Sequence, residues 1–217
     1  MDIAKVIAQE LGIRAGQVEA TVKLIDEGCT IPFIARYRKE VTGSLNDEVL
    51  RDLYERLNYL RNLEERKETV IASIEEQGKL TDELKKQILD AMTLVAVEDL
   101  YRPYKQKRRT RATIAKEKGL EGLANIIYLQ MADHSIETDA QEYISEEKGV
   151  TSIDEAITGA LDIIAENISD EAEYRTYIRD ITVKEGKLVT AAKDAEAKSV
   201  YEMYYDFEES VAKLAGH

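Results

Sequence analysis

A chain of 217 residues is long enough to bury a core without disulfide or metal staples. Its single cysteine, Cys29, excludes an intrachain disulfide and points to a reducing, cytoplasmic compartment. Glycine and proline are scarce (11 and 2) beside 34% charged residues, which favours helices joined by short loops, and no run of eighteen apolar residues exists to span a membrane.

The first residues, MDIAKVIAQEL, lack a basic segment followed by an apolar one, so they read as an amphipathic helix and not as a signal peptide. Ile3, Val6, Ile7 and Leu11 recur at helical spacing, and Gly12 suits the stop. Val18, Val22 and Ile25 give a second stripe ending at Gly28. Ala8, Gly12 and Val18 have the small, turn and core spacing of a helix-turn-helix. Gln17, Glu19, Thr21 and Lys23 would form the exposed face of its second helix, with one acid and one base to offer a groove. A tight hairpin that packs the core is therefore favoured over a sequence reader.

In TIPFIARYRKEVTG (Thr30 to Gly43), Pro32 fits the first turn of a short helix. Phe33, Ile34 and Tyr37 are expected to face inward, with Arg36, Arg38 and Lys39 outward, either in surface ion pairs or against phosphate. Asn46 caps the longest predicted helix, Asp47 to about Gln77, whose leucine stripe shifts after Leu60 and predicts a rotated face, a bend or a break. Thr81 and Thr93 cap two further helices, and Pro103 stops the second.

Arg102 to Lys118, RPYKQKRRTRATIAKEK, holds eight cations (Arg102, Lys105, Lys107, Arg108, Arg109, Arg111, Lys116, Lys118) and one acid, Glu117, in a chain of net charge -13. A guanidinium fork matches phosphate oxygens in pairs, and Tyr101 and Tyr104 flank the run as stacking aromatics would. The competing reading is a basic loop neutralised by acids of the same chain. Those acids exist: residues 133–217 carry 21 acids and 8 bases, whereas residues 1–132 carry 22 of each. An acidic half repels nucleic acid, so any strand contact is expected from the first half.

Two helices are predicted about Gly119, covering Arg111 to Lys118 and Leu120 to Met131. The polar stretch Asp133 to Gly149 is the candidate boundary. Ser152 and Glu155 predict a capping box opening a helix through Ile153, Ile157, Leu161, Ile164 and Ile168. Helix is expected to about Glu185 and again from Ala191 to Leu214, with a strand or turn competing at Lys184 to Thr190.

Chemistry-bearing constellations are missing from the sequence. His134 and His217 are far apart, Cys29 stands alone, and a zinc site needs three or four clustered N or S ligands. No nucleophile-elbow, metalloprotease, dinucleotide or P-loop motif occurs. The acid pairs Glu98–Asp99 and Glu146–Glu147 read as solvated helix surface. Neither a metal nor a cofactor is expected, and no hydrolase is supported.

TIPFIARYRKEVTGSLND (Thr30 to Asp47) and VEDLYRPYKQKRRTRATIAKEKGLEGLA (Val97 to Ala124) resemble the N-terminal region of the Tex family of bacterial transcription accessory proteins, and the resemblance extends over essentially the whole chain. The ending YYDFEESVAKLAGH is similar to the segment before that family's YqgF-like domain. The resemblance implies an N-terminal piece that stops before the YqgF-like, helix-hairpin-helix and OB-type RNA-binding parts, a cytoplasmic role beside RNA polymerase, and no catalysis.

The expected fold is all-α: a multi-helix domain with a helix-turn-helix-like start and a long central helix over 1–132, then an acidic helical extension over 133–217. The expected function is a non-catalytic module making sequence-independent contact with RNA or single-stranded DNA during transcription. Its candidate contacts are Arg36, Arg38, Lys39, Arg102, Lys105, Lys107, Arg108, Arg109 and Arg111. The alternative is an architectural scaffold that docks onto other domains of a longer protein or onto RNA polymerase.

Overall fold

The computed structural model describes residues 1–105, 108–130, 135–194 and 196–215, so Lys107, His134 and His217 lie outside the described residues. The chain divides into two compact units, Met1–Tyr101 and Arg102–His217. It is predominantly α-helical, with one two-stranded sheet among the described residues.

In the first unit Asp2 caps α1 (Ile3–Leu11) by accepting the Lys5 N–H, and Gly12 ends it in the left-handed region at φ 64°. α2 (Ala15–Asp26) follows, with Ala8 and Val18 buried at the hairpin. The face expected to be exposed on α2 is partly consumed. Thr21 is fully buried and donates to the Gln17 carbonyl, while Gln17 Nε2 donates to the Thr42 carbonyl at 3.0 Å. Packing against the next short helices takes two of the four side chains a groove reader would need.

α3 (Ile31–Tyr37) and α4 (Lys39–Thr42) lead to α5 (Asp47–Glu76), whose first turn is capped by Asn46 accepting the Val49 N–H at 2.8 Å. α5 runs 30 residues without a break. The predicted shift after Leu60 does not break it, and Lys67, itself 2% exposed, fills the place in the stripe between Leu63 and Val70. Leu50, Leu53, Leu57, Leu60, Leu63, Val70 and Ile74 are buried along it, each contributing about 1.5–3 kcal/mol by leaving water. α1, α2 and α3 pack on this helix, as do α6 (Asp82–Asp90) and α7 (Leu94–Tyr101). Ion pairs tie its outer face to its neighbours: Arg56 to Glu10, Arg61 to Asp26 and Arg66 to Glu98. Asp99 is buried, so the Glu98–Asp99 pair is structural, not the solvated surface expected from sequence.

The second unit opens with a 3-10 turn, Arg102–Tyr104, followed by α8 (Arg111–Glu117), α9 (Glu121–Leu129), α10 (Ile136–Gln141) and α11 (Ile153–Asp170). Gly119 turns the chain between α8 and α9 at φ 82°. α8, α9 and α10 pack on α11 around Ala112, Ala115, Leu120, Leu123, Ala140, Val150, Ala156, Ala160 and Ile163. Small residues dominate because the helices approach closely. The buried stripe of α11 is thus Ala156, Ala160 and Ile163, while Leu161 and Ile168, expected inside, are exposed. The capping box is displaced: Ser152 accepts the Glu155 N–H at 3.2 Å, but the Glu155 carboxylate accepts from Thr151, one residue upstream.

α12 (Ala172–Glu185) has no buried residue. The expected helix from Ala191 to Leu214 does not form. β1 (Lys187–Ala191) pairs antiparallel with β2 (Asp206–Ser210), Lys187 opposite Ser210 and Ala191 opposite Asp206. Alanines between Ala191 and Ala197 favour helix locally, but cross-strand hydrogen bonds and the β-branched Val189 and Thr190 decide the outcome.

Candidate interaction surface

Pro103 lacks an N–H and breaks the helical run of α7, so Arg102 emerges on a tight turn. Its Nε donates to Asp170 Oδ1 at 3.1 Å. Thr110 caps α8 by accepting the Thr113 N–H, and its hydroxyl donates to Glu166 Oε2 at 3.0 Å. Arg111 Nε lies 3.5 Å from Asp162 Oδ1. Asp162, Glu166 and Asp170 are four residues apart on α11, so they form one acidic row along the helix, against which Arg102, Thr110 and Arg111 lie. Arg109 turns the other way and pairs with Glu117 at 2.8 Å. Lys118 donates to the Gly149 carbonyl at 2.7 Å. Lys105 is engaged as well. Arg108 is exposed and makes no hydrogen bond or ion pair among the described residues.

Asp162, Glu166 and Asp170 on α11 and Glu117 on α8 meet the run from within its own unit. Arg111 remains 85% exposed and Arg109 69% exposed, which keeps both pairs weak. Asp170 and Asp162 are less open, at 13% and 21%. A phosphate approaching Arg102 or Arg111 would meet these acids at close range.

In the first unit the second basic cluster is built differently. Ile34 is fully buried and anchors α3. Phe33 and Tyr37, expected to face inward, are 37% and 56% exposed, because a seven-residue helix with one buried anchor leaves its other aromatics outside. Their ring centroids are 5.3 Å apart, and the Arg38 guanidinium sits 5.1 Å from the Phe33 centroid while donating to the Tyr37 carbonyl. Arg36 and Lys39 are exposed, and their side chains make no hydrogen bond or ion pair among the described residues. Of the candidate cations, Arg36, Arg38 and Lys39 belong to the first unit and Arg102, Lys105, Arg108, Arg109 and Arg111 to the second, where several are engaged.

The row Asp162–Glu166–Asp170 was missed in sequence, although its i, i+4, i+8 spacing on a strongly amphipathic helix is a readable signal. Among the described residues no group of three or more His, Cys, Asp or Glu could hold a metal ion, and no helix is long and apolar enough to cross a membrane.

Residues 1–75 match the family described as the Tex-like protein N-terminal domain, and residues 132–217 match the Tex central region-like family. The chain is 51% identical over 214 residues to the uncharacterized protein YdcI of Bacillus subtilis, covering 97% of this chain and 30% of that protein. It is 45% identical over 224 residues to protein tex of Bordetella pertussis and 43% identical over 220 residues to the transcriptional accessory protein Tex of Neisseria gonorrhoeae, covering 100% of this chain and 28% of each. The chain belongs to the Tex family. It spans less than a third of the length of these Tex relatives. The Tex central-region match begins at residue 132, beside the charge switch, while the packed core around α11 draws on residues from Ala112 to Ile163.

Proposed function

We propose that this Tex-family chain is a non-catalytic architectural module of a transcription accessory protein, in which the Arg102–Arg111 run fastens the second unit together. The observation that carries this reading is the acidic row on α11, against which Arg102, Thr110 and Arg111 lie. Docking would use exposed apolar side chains, which cluster late in the chain: Tyr177 and Ile178 on α12, Val189 on β1, and Val200, Tyr201 and Met203 between the strands. Other domains of a longer Tex protein or RNA polymerase, in the cytoplasm, are the partners this reading names. The charge boundary at residue 133 then separates functions and not packing.

The test is Arg108, Arg109 and Arg111 all changed to Glu. The expected result is a lower melting temperature and faster proteolysis within the run, with strand affinity unchanged. Loss of RNA binding from a variant that melts and resists protease like the parent overturns the reading.

A second reading assigns sequence-independent RNA or single-stranded DNA contact to Arg36, Arg38, Lys39, Arg102, Lys105, Lys107, Arg108, Arg109 and Arg111. Arg36, Lys39 and Arg108 favour it, since their charged side chains have no partner among the described residues. Its signature is affinity that falls by about 0.7 log unit per log unit of salt for each phosphate neutralised on a single strand.

A further inference from the structure

We infer that α3 and α4 form a stacking site for single-stranded nucleic acid, with bases on Phe33 and Tyr37 and phosphates on Arg36 and Lys39. The inference rests on and deepens the second reading at Arg36, Arg38 and Lys39, and is independent of the fastening role proposed for the Arg102–Arg111 run, since it lies wholly within the first unit.

Four observations meet at this site. First, the rings are outside: Phe33 is 37% and Tyr37 56% exposed, and Val41, four residues further on, is 45% exposed. Aromatic surface left in water is a cost that a ligand removes. Second, the rings are held. Their centroids are 5.3 Å apart at an interplanar angle of 47°, and Arg38 packs on the Phe33 face while its Nη1–H is tied to the Tyr37 carbonyl at 2.9 Å. Both rings stay partly exposed, and the fixed guanidinium reduces the ordering that binding would require. Third, the charge is spare. Ile31 to Thr42 carries Arg36, Arg38 and Lys39 against one acid, Glu40. Arg36 and Lys39 have no carboxylate against them among the described residues, unlike Arg102, Arg109 and Arg111. Fourth, the base of the site is rigid. Ile34 is fully buried, and the Gln17 amide donates to the Thr42 and Gly43 carbonyls, which pins the end of α4 to α2.

Interleaved rings and uncommitted cations are what a single strand needs, because every base has a π-face and every nucleotide a phosphate. A duplex hides its base faces in its own stack, so only the cations would serve it. A protein partner would satisfy the rings but would leave Arg36 and Lys39 without a polyanion. Ribose and deoxyribose strands share the stacking and phosphate chemistry, so the site is assigned to single strands of either kind.

The test is fluorescence anisotropy of the 217-residue chain with a labelled 12-nucleotide RNA, the same sequence as DNA, and the corresponding duplex, in 50 and 150 mM salt. The expected result is tighter binding of at least one single strand than of the duplex. Tyr37→Ala should weaken that binding about fivefold or more at both salts without changing the salt slope, since a ring neutralises no phosphate. Arg36→Gln with Lys39→Gln should weaken it and flatten the slope by about 0.7 for each phosphate lost. Tyr37→Trp, which keeps a stacking face, should restore parental affinity. Tyr37→Ala and Tyr37→Trp are both read against their own melting temperatures, and Phe33→Leu supplies a second ring loss that keeps the apolar volume.

Equal affinity for strand and duplex overturns the inference, as does parental affinity in both Tyr37→Ala and Phe33→Leu. Absence of strand binding at 50 mM salt also overturns it and leaves the patch to a protein. Strand binding that survives the ring variants but disappears on reversing Arg108, Arg109 and Arg111 overturns it too, and that result counts against the fastening reading as well. Failure of the fastening reading alone shows instead as an unchanged melting temperature in the reversed run while the ring variants still lose affinity.

Discussion

Arg102 and Asp170 are 68 residues apart in the chain, and the guanidinium donates its Nε–H to the carboxylate at 3.1 Å. The pair joins the first turn of the second unit to the last turn of α11. Asp170 is the less exposed partner, at 13% against 44% for Arg102, so the carboxylate has the poorer alternative in water. Asp170→Asn is expected to cost about 1 kcal/mol, because the amide still fills the space and only the charge assistance is lost. Asp170→Lys should cost more, since it places like charges together. A double-mutant cycle of Arg102→Gln and Asp170→Asn, read by urea unfolding, should return a coupling of about 0.5–1 kcal/mol. A coupling near zero would leave the fastening without its central contact.

How far the sequence reveals this arrangement depends on whether a signal is local. Caps are local, and Asn46, Thr81 and Ser152 start their helices as their chemistry predicts. The left-handed glycines Gly12 and Gly119 turn the chain where their patterns say. The strand pair is not local: Ala191 and Asp206, partners across the sheet, stand 15 positions apart in the chain, and only the cross-strand pairing reveals that the alanine-rich connection is not helix. The partners of the basic run are not local either. Positive charge in Arg102 to Lys118 is plain, but which carboxylates face it depends on how α8 and α11 pack. Phe33 and Tyr37 read as core because aromatics beside a buried isoleucine look alike, and one anchor on a short helix is enough to leave them outside.

Lys67 is 2% exposed, and its Nζ donates to the Leu89 carbonyl at 2.7 Å while lying 2.9 Å from Glu64 Oε1. Leu89 is in the last turn of α6, where carbonyls have no helical partner, so the lysine of α5 caps a neighbouring helix. Lys67→Ala should cost about 3–5 kcal/mol, as expected for removing one partner of a buried pair. Lys67→Met fills the stripe and should cost less, yet it still leaves the carbonyl unpaired. Adding Glu64→Gln to Lys67→Met should recover part of the loss. Chemical denaturation of the four proteins checks the order, and equal stability of Lys67→Met and the parent would show that the cap contributes nothing.

Two carboxyls of the first unit give its stability an acid limb. Two N–H groups of Arg56 bond to Glu10 at 2.6 and 2.7 Å and hold its carboxyl below the ordinary carboxylate range. Arg61 does the same to Asp26 through two bonds of 2.8 Å. A group whose folded-state value is lowered contributes fully above its unfolded value and loses that contribution as pH falls through the folded one. From these two pairs, stability should be flat from neutral pH to about pH 5 and decline below about pH 4. Both pairs are partly open to solvent, which keeps the slope shallow. Glu10→Gln with Asp26→Asn should lower stability at pH 7 and flatten the decline. An acid limb of unchanged steepness in that variant would assign it to other carboxyls.

Gly159 lies inside α11, where alanine would ordinarily help, since glycine costs a helix interior about 1 kcal/mol. Here a Cβ would stand 2.4 Å from Leu120 Cδ1 and 3.3 Å from the Ala115 Cβ. Leu120 is 1% exposed and belongs to the core of the second unit, so its methyl cannot move into water. Overpacking a close-packed site costs about 1–3 kcal/mol, which exceeds the gain in helix propensity. Gly159→Ala should therefore destabilise the second unit by about 1 kcal/mol, and Leu120→Val, which shortens the side chain at that contact by one methylene, should restore part of it when the two are combined. Thermal unfolding of the single and double variants separates the effects. A Gly159→Ala protein more stable than the parent would mean that α8 and α11 yield at their contact, and the fastening of the basic run to the acidic row would then rest on a looser frame.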